Sequence, residues 1–279
     1  MKIGILTLPL HINYGGYLQA FALKSILLEH GNEVYLIENK NLYGNLLKRG
    51  LRQIKDSFSL LLFYLGKKNK EAEFILKEKK ISIFKDNYMC PIVDISNSKT
   101  LNDLDIVIVG SDQVWRPWKG LCRNSLYFFL DFIKSTKTKK ISYAASFGID
   151  KWEYNPVETI QIKKLLQDFS IISVREDDGV SLLQDNLGLP SIRMCDPTFL
   201  LTKNDYLSTL RIHHPDNDRI SSYILDSNSS KDDMLKIVAS FFKNDVLPLG
   251  YSEDNGVSSI NDWVRHLVSS KFLITDSFH

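Results

Sequence analysis

The sequence predicts an α/β protein whose sheets are built from parallel strands. Short apolar runs, typical of buried strands, alternate along the chain with longer segments whose apolar residues recur at helical spacing. Hydrophobic residues make up 44% of the 279 residues and charged residues 24%, an ordinary balance for a globular protein. Strands that alternate with helices pair in parallel, because each helix carries the chain back across the sheet.

The first forty residues contain the clearest of these units. We expect an apolar strand at residues 3–8, a glycine-containing loop at residues 11–16 and a helix at residues 17–30. Gly31 is a helix-stop signal, and residues 33–38 form a second strand. This order predicts a βαβ unit with a right-handed crossover.

The next segment, at about residues 41–90, differs in composition. Between Lys40 and Asp86 the chain carries twelve Lys and Arg against five Asp and Glu, an excess of seven positive charges. Its apolar pattern is helical, so we expect a basic helical excursion from the first domain. Two interpretations stay open: a solvated helical hairpin packed on the domain, or a surface that lies on anionic lipid headgroups.

The remaining elements continue the alternation. Strands are predicted at residues 105–109, 140–145, 171–174, 221–225, 245–249 and 272–274, and helices at residues 158–169, 178–187, 231–243 and 260–269. The strand count predicts two Rossmann-like domains, residues 1–169 and residues 170–279. The second is short for a doubly wound unit, and the chain ends where a covering helix is expected, so we expect this domain to be truncated at its C-terminus.

Several general features of the sequence indicate which partners and which cellular compartment to expect. A net charge of +2 does not favour a nucleic-acid partner. The three cysteines lack the spacing of a zinc site or a disulfide framework, which indicates a reducing compartment. The sequence shows no signal-peptide pattern, and its longest apolar run, residues 60–65, is too short to span a bilayer. We therefore expect a cytoplasmic protein, at the inner face of the membrane if the basic segment contacts lipid.

Polar clusters follow several predicted strands, where ligands bind in α/β proteins. The first is Asn13-Tyr14-Gly15-Gly16, which opens the first helix. Glycines let the backbone approach a ligand, and the unpaired N–H groups of a helix start attract a phosphate or a carboxylate. A tight turn without a ligand explains the same residues equally well.

The second cluster is Ser111, Asp112, Gln113 and Trp115, which follows the predicted strand at residues 105–109. Asp112 could act as a general base or orient a sugar hydroxyl, and it could instead cap the next helix. Trp115 could stack on a sugar ring or belong to the core. Small and polar residues followed by an aromatic residue predict the wall of a pocket here.

Two further clusters supply a cation and an acid. Arg175 ends a predicted strand, and a guanidinium can hold a carboxylate or a phosphate at two points. Its alternative role is an ion pair with Glu176 or Asp177. His279 follows the last predicted strand after Asp276-Ser277, and an imidazole can act as acid or base near neutral pH.

Six short motifs occur in order along the chain. They are Asn13-Tyr14-Gly15-Gly16-Tyr17-Leu18-Gln19-Ala20, Gly110-Ser111-Asp112-Gln113-Val114-Trp115, Tyr143-Ala144-Ala145-Ser146-Phe147-Gly148, Ser173-Val174-Arg175-Glu176, Asp196-Pro197-Thr198 and Thr275-Asp276-Ser277-Phe278-His279. In this order they resemble the polysaccharide pyruvyl transferase family. The resemblance covers residues 3–279, and residues 41–90 are its least characteristic part. It implies a GT-B-like fold of two facing Rossmann-like domains with the active site in the cleft.

The resemblance also implies a chemistry. Phosphoenolpyruvate is the implied donor, a pair of sugar hydroxyls on a glycan or a lipid-linked precursor is the acceptor, and a pyruvate ketal is the product. Arg175 and His279 match the active-site pair expected in the family, with His279 as the acid and Asp112 as our candidate base. Many members carry an arginine two residues before this histidine, where the present chain has Ser277. We expect no cofactor and no metal.

A set of substrate-binding candidates completes the predicted site. They are Asn13, Tyr14, Gly15, Gly16, Ser111, Gln113, Trp115, Ser146, Asp276 and Ser277. Two other classes stay open: a glycosyltransferase of the same architecture with a nucleotide-sugar donor, and a non-catalytic glycan-binding protein. Because a terminal residue is poorly held, we expect a chain that ends at His279 to be weakly active or inactive by itself.

Overall fold

A computed structural model describes residues 1–10, 13–39, 70–117, 126–213, 219–249 and 258–277. The chain divides into two compact units. One is formed by Met1–Arg49 with Asn87–Leu200, and the other by Gly50–Asp86 with Leu201–His279. Of the eleven strands in the described residues, eight lie in the first unit and three in the second.

Strands and helices alternate as an α/β protein requires. The strands are β1 (Lys2–Leu6), β2 (Glu33–Glu38), β3 (Ile92–Asp94), β4 (Ile106–Val109), β5 (Lys139–Ser142), β6 (Phe169–Ile171), β7 (Ser173–Val174), β8 (Ile192–Arg193), β9 (Arg219–Tyr223), β10 (Val246–Pro248) and β11 (Ser270–Thr275). The helices are α1 (Tyr14–Glu29), α2 (Lys70–Phe84), α3 (Ser98–Asn102), α4 (Pro156–Leu166), α5 (Asp177–Leu187), α6 (Lys203–Thr209), α7 (Ser229–Phe242) and α8 (Ile260–Val268). The described residues also contain short 3₁₀ turns at Tyr127–Phe129 and Pro197–Leu200 and a π-helical turn at Lys85–Met89.

The first unit is built on a sheet of six strands in the order β3-β2-β1-β4-β5-β6, and all of its pairings are parallel. This is the strand order of the doubly wound Rossmann-type sheet. The order reverses between β1 and β4, where Leu6 lies beside Val109 and both side chains are buried. Ligands of such sheets bind at this switch point, outside the carboxyl ends of the strands.

The strands β7 and β8 form a parallel pair that continues this sheet through a single bridge between Ala145 and Val174. Near this bridge, side chains take over part of the strand pairing. The Ser142 hydroxyl accepts from the N–H of Ser173 at 2.8 Å, and the Ser173 hydroxyl accepts from the N–H of Ala144 at 3.0 Å. These bonds bring the carboxyl ends of β5 and β7 together.

The second unit contains a parallel sheet of three strands in the order β10-β9-β11. Helix α8 buries Ile260, Trp263 and Val264. The Trp263 ring meets the Tyr223 ring edge-on, with 5.3 Å between the ring centroids. Helix α7, in contrast, buries none of its residues, and its Ile237 and Phe241 side chains are exposed.

The predicted α/β class with parallel sheets is confirmed. One predicted strand, at residues 171–174, is two strands, because the chain breaks at Ile172 and the carbonyl of Ile172 accepts from the N–H of Ile192 at 3.1 Å. The compact units change at Leu200 and not at residue 169, since β7 and β8 extend the first sheet. Packing units and domains need not coincide, so the predicted domains 1–169 and 170–279 stay a prediction, as does their GT-B-like arrangement.

The basic segment is only partly described. Residues 40–69 lie outside the described residues, and α2 shows that the following stretch is helical, as predicted. Within the described ranges, no helix is both long and apolar enough to cross a membrane.

Candidate active site

At the switch point between β1 and β4, the side chains of Gln19 and Thr7 bond to each other and to the main chain of Ser111. Gln19, on α1, accepts from the N–H of Ser111 at 3.1 Å and donates to the Thr7 hydroxyl at 2.9 Å. The Thr7 hydroxyl in turn donates to the carbonyl of Ser111 at 3.2 Å. All three residues are buried, so the loop after β4 is fixed to the first helix and to the end of β1.

The loop after β4 has an unusual backbone. Gly110 has a φ of 118°, and a Cβ atom there would lie 2.2 Å from the carbonyl oxygen of Tyr143, so only glycine fits. The Gly110–Ser111 peptide is cis, and Asp112 has a φ of 74°. The carbonyl of Asp112 accepts from the N–H of Ser146 at 3.0 Å, which ties this loop to the end of β5.

The Asp112 side chain lies at this edge and is 8% exposed. Its Oδ1 accepts from the N–H of Gln113 at 2.8 Å. The residues that follow form turns and not a helix, so the alternative role of a helix cap does not apply. The role of base stays a prediction.

Arg175 directly follows β7, and its side chain is 5% exposed. Its Nε donates to Glu176 Oε1 at 2.7 Å, and its Nη1 donates to Asp196 Oδ2 at 3.4 Å. The alternative role as an ion-pair partner of Glu176 is therefore present in the structure. A guanidinium carries five N–H donors, so it can serve two carboxylates and a further anion at once.

The two carboxylates connect Arg175 to both neighbouring loops. Glu176 Oε1 also accepts from the Ser146 hydroxyl at 3.0 Å, and Asp196 Oδ2 also accepts from the Ser111 hydroxyl at 3.0 Å. Ser111, Ser146 and Arg175, three of the predicted site residues, are thus brought into one hydrogen-bonded network. We call it the edge network; it comprises Thr7, Gln19, Ser111, Ser146, Arg175, Glu176 and Asp196.

The start of α1 lies close in sequence to this network but is already capped. Asn13 Oδ1 accepts from the N–H of Gly16 at 3.2 Å, and the carbonyl of Asn13 accepts from the N–H of Tyr17 at 3.2 Å. Tyr14, Gly15 and Gly16 are buried. The N–H of Gly16 is one of the helix-start groups expected to bind an anion, and here it donates to the Asn13 side chain instead. Ligand binding at this helix start stays a prediction.

Two further predicted site residues of the Gly110–Trp115 motif, Trp115 and Gln113, have different surroundings. Trp115 is fully buried, its ring stacks on Phe129 with 5.5 Å between centroids, and its Nε1 donates to the carbonyl of Phe128 at 3.1 Å. The prediction that Trp115 stacks on a sugar ring is therefore wrong, and its alternative role in the core is correct. Gln113 lies against Gly148, where a Cβ atom would come within 2.5 Å of its amide carbon.

The C-terminal motif belongs to the second unit. Asp276 accepts from the N–H of Leu225 at 2.7 Å and from Lys231 Nζ at 2.6 Å. The Lys231 bond and these backbone bonds lower the pKa of Asp276 to about 2. The N–H of Ser277 donates to the Thr275 hydroxyl at 2.9 Å. His279 lies outside the described residues, so its role as acid stays a prediction.

Two tyrosines near the edge network have shifted pKa values. Burial, and to a lesser extent the negative charges of Cys195 and Asp196, raises the pKa of Tyr143. Burial raises the pKa of Tyr154 further, and its hydroxyl donates to the carbonyl of Trp115 at 2.9 Å. Because both pKa values are raised above the ordinary value of 10.0, both phenols stay protonated at physiological pH.

Sequence reasoning missed four members of the edge network: Thr7, Gln19, Glu176 as a positioning group, and Asp196. Asp196 gave a usable signal, since it follows the residues of β8 and precedes a proline, which places it at a strand end. Gln19 belongs to the first of the six motifs, but the sequence of a helix does not indicate which of its polar residues turns toward a strand end. Within the described residues, no group of three or more His, Cys, Asp and Glu side chains has the arrangement of a metal site.

A Rossmann-type strand order with a buried, charged network at its switch point defines an α/β protein with a candidate ligand site at the carboxyl edge of its sheet. The chain belongs to the polysaccharide pyruvyl transferase family, whose family model matches residues 13–279. Membership places the protein in a family of transferases. No curated protein matches the chain significantly.

Several solved structures show a distant likeness to the chain. One is described as an alpha-glucosyltransferase in complex with UDP, with 12% identity, coverage of 98% of this chain and 72% of that chain, and a TM-score of 0.46. Another is an alpha-glucosyltransferase in complex with UDP-glucose and DNA containing an abasic site, with 11% identity, coverage of 98% and 71%, and a TM-score of 0.47. A structural similarity with TM-scores this low does not indicate a function for the present chain.

Proposed function

We propose that the protein is a pyruvyl transferase that moves the enolpyruvyl group of phosphoenolpyruvate onto a pair of sugar hydroxyls and forms a pyruvate ketal. The observation that carries this proposal is the family match over residues 13–279. The acceptor is a surface polysaccharide or its lipid-linked precursor. The edge network supports the proposal, because it holds a cationic side chain at the position where α/β proteins bind anionic ligands.

The reaction balances without an oxidant or a reductant. A proton adds to the methylene carbon of phosphoenolpyruvate, and the first sugar hydroxyl bonds to the neighbouring carbon. Inorganic phosphate then leaves with the electrons of its C–O bond, and the second hydroxyl closes the ketal. One hydroxyl proton ends in the new methyl group and the other on phosphate.

The described residues suggest a division of roles. Arg175 binds the carboxylate or the phosphate of the donor, because its planar guanidinium matches either group. Asp112 takes the proton of the attacking hydroxyl, since its carboxylate lies at the same edge of the sheet as the edge network. His279, which lies outside the described residues, supplies the proton to the methylene carbon.

The direct test is turnover. The full-length protein is incubated with phosphoenolpyruvate and a panel of glycans, and release of inorganic phosphate is followed together with the methyl signal of the ketal by proton NMR. We expect phosphate and ketal in equal amounts with the correct acceptor. Consumption of a nucleotide sugar, with no phosphate release from phosphoenolpyruvate for any acceptor, would show that the proposal is wrong.

A matched pair of variants tests the role of Arg175. Arg175→Lys keeps the positive charge but loses the fork of N–H donors, and we expect kcat/KM for phosphoenolpyruvate to fall by about 10²-fold. Arg193→Lys is the control, because Arg193 lies on β8 and its exposed side chain pairs with Asp177. Equal rates for the two variants would remove Arg175 from the site.

A further inference from the structure

The Asp196 carboxylate is the most enclosed charged group of the edge network. Its side chain is 1% exposed, and its two oxygens face different partners. Oδ1 accepts from both the N–H and the hydroxyl of Thr198, at 3.0 Å and 2.9 Å, which fixes the 3₁₀ turn at Pro197–Leu200. Oδ2 accepts from the Ser111 hydroxyl and from Arg175. One carboxylate therefore joins the loop after β8 to the loops after β4 and β7.

We infer that Asp196 is a positioning residue that holds the Arg175 guanidinium in the orientation needed to bind the anionic donor. This inference rests on the proposed function, because it assumes that Arg175 meets phosphoenolpyruvate or its phosphate. Arg175 is held at two points of its plane: Nε meets Glu176, and Nη1 meets Asp196. Contacts at two different nitrogens restrict the orientation of the guanidinium plane.

Asp196 differs from Glu176 in the rigidity of its own support. Thr198 donates to its Oδ1 from the main chain and the side chain, and Pro197 limits the backbone between them. The Glu176 side chain is 31% exposed and accepts from the Ser146 hydroxyl. The Asp196 carboxylate is therefore the more rigidly supported of the two, while its contact with Arg175, at 3.4 Å, is longer than the 2.7 Å contact of Glu176.

Asp196→Asn is a selective probe of this contact. An asparagine can keep its amide oxygen toward Thr198 and turn its NH₂ group toward Ser111, whose hydroxyl can accept as well as donate. Arg175 Nη1 then faces an NH₂ group in place of the Asp196 carboxylate oxygen. The substitution is nearly isosteric, so it removes the Arg175 contact while it leaves the volume and the other bonds in place.

The experiment compares the full-length wild-type protein with Asp196→Asn, Arg175→Lys, the double variant and the control Asp177→Asn. Asp177 is the surface counterpart, since its exposed carboxylate accepts from Arg193 at 2.7 Å. The readouts are the melting temperature, the KM for phosphoenolpyruvate separately from kcat, and the Kd of phosphoenolpyruvate and of inorganic phosphate by titration calorimetry.

We expect the Asp196→Asn variant to melt cooperatively. Its binding of phosphoenolpyruvate should weaken by roughly tenfold or more, as seen in both Kd and KM. Its kcat/KM should fall by about 10²-fold, because misplacement of a binding group can have an effect of this size. Asp177→Asn should stay within about twofold of the wild type, as expected for an exposed pair. The double variant should be little worse than Arg175→Lys alone, because Asp196 acts through Arg175.

Three outcomes would overturn the inference. The first is that the losses in binding free energy of the two single variants add up in the double variant. The second is that the loss of binding in Asp196→Asn equals its unfolded fraction, and the third is that the wild-type protein binds neither phosphoenolpyruvate nor phosphate. The proposed function can fail separately. If the wild type binds phosphoenolpyruvate but produces no ketal with any acceptor, the proposed reaction is wrong, and the ratio of Kd values still decides whether Asp196 positions Arg175.

Discussion

Arg175 and Arg193 lie at neighbouring strands and each pairs with an aspartate, but only one of the two pairs is buried. The Arg175–Asp196 side chains are 5% and 1% exposed, against 61% and 79% for Arg193–Asp177. Removal of one partner of a buried pair leaves an uncompensated charge in a medium of low dielectric constant. The two pairs should therefore differ sharply in their effect on stability.

We expect Arg175→Met to lower the free energy of unfolding by about 3–5 kcal/mol. Arg193→Met should lower it by less than about 1 kcal/mol, because water already solvates both of its charges. Denaturant unfolding measures both values. Similar losses in the two variants would mean that the Asp196 carboxylate finds another partner. The stability cost also explains why Arg175→Lys is the better variant for the activity test.

Trp115 gives a second prediction at this scale. The indole ring is fully buried and stacks on Phe129, so Trp115→Ala should cost about 3–5 kcal/mol of unfolding free energy, as large aromatic deletions do. Trp115→Phe keeps a ring and should leave the KM for the acceptor glycan unchanged within error, measured from initial rates. A marked rise in that KM would return Trp115 to the binding site.

Residue types alone could predict part of the site. Ser111, Ser146 and Arg175 are polar residues after buried strands, and the structure brings them into the edge network. The same reasoning failed for Trp115, because an aromatic residue after a strand is equally compatible with a pocket and with a core. Which of these applies depends on tertiary contacts, here with Phe129 and Phe128, that local sequence does not encode.

At the scale of elements, long apolar runs were predictable and short ones were not. Strand β2 occupies the predicted residues 33–38, because six residues with apolar centres leave little ambiguity. Strand β3 was missed, since three residues are too few to show a period. The break between β6 and β7 was also missed, because it comes from pairing with β8 and not from a turn-forming residue.

The end of β11 carries a prediction that depends on pH. Asp276 accepts from the main-chain N–H groups of Leu225 and Asp226 and from Lys231, so it joins the end of β11 to the connection between β9 and α7. Its pKa is lowered from the ordinary value of 3.8 to about 2. A carboxyl group whose pKa is lowered by folding adds stability above its unfolded pKa, and this stability is lost as the pH falls through the folded value.

We therefore expect Asp276→Asn to lower the melting temperature at pH 7 and the difference from the wild type to shrink between about pH 4 and pH 2. Asp233→Asn is the control, because that carboxylate pairs with Lys236 on the exposed side of α7. Thermal melts at a series of pH values measure both. A difference that stays constant down to pH 2 would mean that the stabilising bonds of Asp276 do not depend on its charge.

At the scale of the whole molecule, net charge and local charge differ. The net charge is only +2, yet residues 40–86 carry an excess of seven positive charges. A lipid-linked acceptor would place the reaction at a membrane surface, where anionic headgroups attract such a segment. We propose that this segment makes peripheral contact with the cytoplasmic leaflet.

The test replaces Lys48, Arg49, Lys67 and Lys68 by Gln and measures sedimentation with vesicles that contain phosphatidylserine. Each basic residue near the surface contributes about 1 kcal/mol, so binding should weaken by roughly a hundredfold or more. The control replaces four exposed lysines of the first unit by Gln: Lys137, Lys151, Lys163 and Lys164. Wild-type binding should also fall with added salt, and equal binding by the two quadruple variants would exclude the contact.

The hydrogen bonds between strands ordinarily do not depend on side chains, because main-chain N–H and carbonyl groups form them. Between β5 and β7 the main-chain N–H groups of Ala144 and Ser173 instead donate to the hydroxyls of Ser173 and Ser142. A change to alanine at either serine would therefore remove a hydrogen bond between the two strands, which most point mutations in a sheet cannot do. Arg175 stands two residues beyond Ser173, so these two serines, together with the main-chain bond from Arg175 to Ala145, determine where the cation lies.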